Sequence, residues 1–80
     1  MISEKRLTVD QLKDLLLARL VRDHGGIRRE WRKRVGEVRL YSVSTHPHCN
    51  WAIDAVGTRA QVEAIETLID DLRLRHPILT

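Results

Sequence analysis

The sequence predicts a small α+β domain in which two helices pack on an antiparallel sheet, in the order α-β-β-α. Three observations carry this reading. Capping boxes at Thr8 and Thr58 each open a stretch of helical periodicity. Two runs rich in β-branched and aromatic residues lie between them. A length of 80 residues leaves room for one domain, spanning residues 1–80.

The first helix starts where the Thr8 hydroxyl can accept from the backbone of Gln11 while the Gln11 side chain reaches back, with Leu7 and Leu12 at the two staple positions. It is expected over residues 9–24, ending at Gly25-Gly26, where a glycine takes the left-handed conformation that closes a helix. Val9, Leu12, Leu16 and Leu20 share a face that Leu15 broadens, and Leu17 and Val21 widen the apolar arc to about two-thirds of the circumference. So wide an arc needs a second cover. That cover is either the segment carrying Trp31 or a second subunit, which makes Leu17 and Val21 candidate self-association residues.

Residues 27–36 read both ways. Ile27, Trp31 and Val35 stand four apart as on a helix, yet the bases Arg28, Arg32 and Arg34 also alternate with them as on a strand. The extended reading is preferred, with residues 27–35 as a third strand. Residues 37–44 and 50–56 form the two confident strands, and Pro47 makes the link between them a loop rather than a tight two-residue turn. The last helix opens with Thr58 and Gln61 after Gly57 and runs to Arg75, where His76-Pro77 stops it. Its core stripe is Val62, Ile65, Ile69 and Leu72, with Leu68 at the margin. Its outer face carries Glu63, Glu66 and Asp70, expected to be solvated and unpaired.

The net charge of +3 conceals an asymmetry, because residues 1–40 carry +5 and residues 41–80 carry −2. The excess is concentrated in Arg28, Arg29, Arg32, Lys33 and Arg34, with Glu30 as the one acid and Trp31 in their midst. Bases of this density neutralise phosphates, and an exposed Trp amid them stacks on an unpaired base. The plainer alternative has Trp31 anchored on Leu17 and Val21 while the arginines form a solvated rim. The basic segment and the acidic face of the last helix are also complementary in sign, a second route to assembly between subunits.

Catalysis and cofactors find little support. His46, His48 and Cys49 are metal-type ligands within four residues, but a structural zinc site wants four, and the fourth has to come from His24 or His76 at a helix end. Adjacent residues of an extended chain point to opposite sides, so His48 is poorly placed to activate Cys49 as a nucleophile, which leaves His46 or His76 to reach it in three dimensions. There is no Gly-x-Ser-x-Gly elbow, no phosphate-binding glycine loop and no His-Glu-x-x-His helix. The chain is therefore expected to be no enzyme, with no metal and no cofactor. One cysteine makes no internal disulfide, residues 1–6 show no secretory leader, and the longest apolar run, Leu15 to Ala18, is far short of a membrane span. These readings place the chain in the cytoplasm and off the membrane.

From residue 38 to residue 77 the chain resembles small uncharacterised bacterial proteins that carry a similar Cys-Asn-Trp at the start of a strand, here Cys49-Asn50-Trp51. The resemblance implies no activity. Asn50 suits bonding to loop backbone and Trp51 suits seating the strand on the helices, a structural role. The function expected is a small non-catalytic interaction module, self-associating as a homodimer or meeting a protein partner. Nucleic-acid binding through residues 28–34 is the alternative.

Overall fold

The computed structural model describes residues 6–80, so the start of the chain, on which the reading of no secretory leader rests, lies outside the described residues. Five elements follow one another: α1 (Val9–His24), α2 (Arg28–Val35), β1 (Val38–Leu40), β2 (Trp51–Ile53) and α3 (Arg59–Arg75). This is a small α+β fold with one helix beyond the two that the sequence makes plain.

Both capping boxes form. Gln11 N–H donates to Thr8 Oγ1 at 3.1 Å while Thr8 N–H donates to Gln11 Oε1 at 2.9 Å. The pair Thr58 and Gln61 repeats this at 3.2 and 2.9 Å. Each box satisfies two donors that a helix start otherwise leaves without partners. At the far ends, Gly25 takes φ 76° and donates to Val21 O, and His76 donates to Leu72 O just before Pro77.

Residues 28–35, expected as a third strand, are helical. The reason is visible in the pattern: a strand face through Ile27, Trp31 and Val35 also includes Arg29 and Lys33, which break it, whereas the four-residue step leaves Ile27, Trp31 and Val35 uninterrupted. Arg, Lys and Glu are also good helix formers. Gly25 and Gly26, at φ 76° and 87°, provide a corner that few other residues allow, and the Trp31 Nε1–H closes it by donating to Gly25 O at 2.8 Å.

The two strands are antiparallel, with Val38 opposite Ile53, Arg39 opposite Ala52 and Leu40 opposite Trp51. They are three residues each, shorter than residues 37–44 and 50–56 allow. Beyond Leu40 the ladder gains one more bond, Tyr41 N–H to Asn50 O at 2.7 Å. Then Ser42 captures its neighbours: its carbonyl accepts from the amides of Thr45 and His46 and from Thr45 Oγ1, and its Oγ accepts from Ser44 N–H. Such local bonds compete with a ladder and win here. At the other end, Val56 N–H is taken by Arg34 O at the end of α2.

The core gathers Leu12, Leu16, Leu17 and Leu20 of α1, Trp31 and Val35 of α2, Ile65, Leu68, Ile69 and Leu72 of α3, and Trp51, Ile53 and Leu79. Leu68 joins it fully while Val62 is only half-buried. Leu17 is 1% exposed and Val21 packs against the same cluster, so the wide apolar arc of α1 is closed within the chain. As a self-association surface, Leu17 is therefore withdrawn and Val21 is left half-covered. No described helix is long and apolar enough to cross a membrane.

Candidate interaction surface

The four-residue repeat that turns Trp31 and Val35 inward necessarily turns Arg28, Arg29, Arg32 and Lys33 outward, and all four are exposed. Arg28 reaches back to α1, its Nη2 2.6 Å from Asp14 Oδ1. Lys33 pairs with Glu30 one turn earlier at 3.7 Å. Arg29 and Arg32 have no carboxylate within ion-pair distance among the described residues. Arg32 borders a shallow cleft of about 360 Å³ that it shares with Asp10, Lys13, Asp14 and Leu17. Cations and carboxylates thus interleave across α1 and α2.

The other two residues of the basic segment leave this face. Trp31 is 8% exposed, bonded to Gly25 O, with the His24 ring tilted over it at 5.9 Å. Its indole anchors the α1–α2 corner and presents no free face of the kind base stacking requires. Arg34 lies across Gly57, where a Cβ on the glycine meets Arg34 Cδ at 2.8 Å, so its stem packs on the link between β2 and α3.

Two of the three metal-type residues of the β1–β2 link, His46 and Cys49, are engaged with their neighbours, and His48 is exposed. The His46 ring stacks on Tyr41 at 4.3 Å, with Nδ1 2.9 Å from Thr45 Oγ1, and the Cys49 thiol lies 3.5 Å from Trp51 O. Among the described residues no three His, Cys, Asp or Glu side chains converge as a metal site.

A second cleft, of about 490 Å³, lies between the end of α1 and α3, bordered by Arg19, Asp23, His24, Glu63 and Asp71. Arg19 Nη1 bonds Asp71 Oδ2 at 2.9 Å, and Arg75 Nε approaches the same carboxylate at 3.2 Å. The hydrogen bonds from Arg19 and then Arg75 hold the Asp71 carboxyl below its ordinary value. Asp23 is lowered as well, chiefly by its hydrogen bond from Arg22. The acidic face of α3 is less bare than its sequence suggests, because Glu63 pairs with Arg59 at 3.6 Å and Asp70 with Arg73 at 3.8 Å.

What the sequence reading missed is the segment after α3. Residues 77–80 turn back along Asn50, which is 2% exposed and spends both side-chain polar atoms on Leu79: Nδ2–H donates to Leu79 O at 3.0 Å and Oδ1 accepts from Leu79 N–H at 2.8 Å. Trp51 Nε1–H donates to His76 O at 2.8 Å, and Arg73 stands 5.7 Å over its ring. The signal was Ile78-Leu79, two large apolar residues directly after a proline stop. Comparison of the chain with protein-family models, with curated proteins and with solved structures finds no match.

Proposed function

We propose that this chain is a small non-catalytic binding module that self-associates and uses the outer face of α2 to hold an acidic protein surface. The observation that supports it is the pair of exposed guanidiniums, Arg29 and Arg32, left without carboxylates among the described residues while Arg28 and Lys33 beside them are paired. Asp10, Asp14 and Glu30 border these cations. These acids break up the continuous run of cations that a phosphate backbone rewards and leave Arg29 and Arg32 as two discrete points for carboxylates. Self-association is supported by large apolar side chains left exposed on so small a domain: Ile27, Leu40, Val56 and Leu74.

A nucleic-acid partner is the second reading, favoured by the density of bases over residues 28–34. The two separate by probe and salt. A fluorescent polyglutamate peptide and labelled single- and double-stranded oligonucleotides are titrated with the protein at about 50 and about 200 mM salt. The expected result is saturable peptide binding that the double variant Arg29→Glu, Arg32→Glu abolishes, with weaker oligonucleotide binding. Tight oligonucleotide binding that collapses by orders of magnitude at the higher salt replaces this reading with the second. Sedimentation over a range of concentrations tests self-association directly.

A further inference from the structure

We infer that residues 77–80 are an exchangeable ligand of the groove formed by Asn50 and Trp51, and that in the self-associated state each copy of the chain docks this segment on the other. The inference rests on the self-associating reading above and gives it a structural basis.

The hydrogen bonds that hold the segment all use its main chain. Asn50 pairs with both the N–H and the C=O of Leu79, Asn50 N–H donates to Pro77 O at 3.1 Å, and Trp51 donates to His76 O. Thr80 N–H donates to Leu7 O at 3.0 Å. A side-chain amide that pairs with both polar groups of one residue does what a neighbouring strand does, and recognises an extended backbone rather than a particular side chain. Specificity comes from one position: Leu79 is 2% exposed and enters the core. A second copy supplies the same leucine at the same spacing, so the contacts that Leu79 and Thr80 make within one chain are available between two.

The junction suits release. The helix ends with His76 N–H on Leu72 O, and Pro77, which has no N–H, forfeits no donor when the segment pivots there. Because closed and exchanged states share the contacts of Leu79 and Thr80, the balance between them is set by the hinge at His76-Pro77 and by whatever new contact the two copies make. Four extended residues reach only about 13 Å, so exchange brings the ends of the two α3 helices close together. Leu74, 85% exposed on the last turn of α3, lies at that meeting point and supplies the new apolar contact.

Disulfide trapping between chains tests this. On a Cys49→Ser background, a chain carrying Thr80→Cys is mixed with one carrying Arg6→Cys, or with a control carrying Glu37→Cys. All three positions are exposed, which spares the fold. Under mild oxidation the 80-to-6 mixed disulfide is expected in at least tenfold excess over the 80-to-37 control. Equal yields overturn the exchange. Sedimentation of the unmodified protein at the same concentration separates the two ideas: a dimer without excess 80-to-6 trapping removes the exchange alone, and a protein monomeric throughout removes self-association and the exchange with it.

Discussion

A buried amide costs folding free energy unless its polar atoms are paired, and Asn50 meets that condition by pairing with the backbone of Leu79, whose N–H and C=O have no other partner among the described residues. The bond is therefore reciprocal: Asn50 is satisfied by Leu79, and Leu79 by Asn50. Asn50→Ala leaves a buried N–H and a buried C=O stranded, with an expected loss of about 3 kcal/mol from two unsatisfied groups. Urea unfolding of the variant beside the parent measures it. A loss under about 1 kcal/mol means water reaches Leu79 and the segment is held by its side chain instead. Asn50→Asp preserves shape but sets a second oxygen against Leu79 O, so it does not rescue. Sequence patterns do not reveal such a pairing, because the two partners are 29 residues apart. The tripeptide Cys49-Asn50-Trp51 pointed to Asn50 as a backbone binder without saying whose backbone.

At the scale of elements, α2 separates what each residue of the basic segment does. An alanine series along it has a sharp expected profile: Arg29→Ala and Arg32→Ala, exposed and without ion pairs among the described residues, stay within about 0.5 kcal/mol of the parent. Trp31→Ala, which empties the α1–α2 corner, costs about 3 kcal/mol. Thermal or urea unfolding of the three variants provides the check, and a uniform profile contradicts the inward seating of Trp31. The helices were legible where cap and period agreed, as at Thr8 and Thr58. Residues 27–35 were not, because nine residues hold just three apolar positions, and a two-residue alternation also places all three on one face. Tertiary packing resolves the ambiguity: Trp31 on a helix finds an acceptor at Gly25 O and a place in the buried core. The strands were legible in position and overestimated in length, since the Ser42 turn and the Arg34 carbonyl draw away amides that the sequence alone assigns to a ladder. The candidate surface was half-legible for the same reason. Its charges are in the sequence, but which of them face outward depends on the helix.

Across the whole molecule, α1 and α3 are joined on their outer side by Arg19, Asp71 and Arg75. The Asp71 carboxyl is lowered in the folded state by the hydrogen bonds from Arg19 and Arg75. A carboxyl depressed on folding adds stability above its unfolded pKa, and that contribution is lost as pH falls through the folded value. The melting temperature of the parent is therefore expected to drop more steeply between about pH 5 and pH 2 than that of Asp71→Asn, with the two curves offset but parallel near neutrality. Matching slopes on the acid side show that the triad is too well solvated to matter. The bond from Thr80 N–H to Leu7 O has a consequence of another kind. It ties the entry of α1 to the segment beyond α3, and Leu79 beside it fills the core. Contacts this distant along the chain close late. A chain whose residues 77–80 have yet to dock holds its capped helices without the piece that seals them, so docking of this segment is expected as a late step of folding.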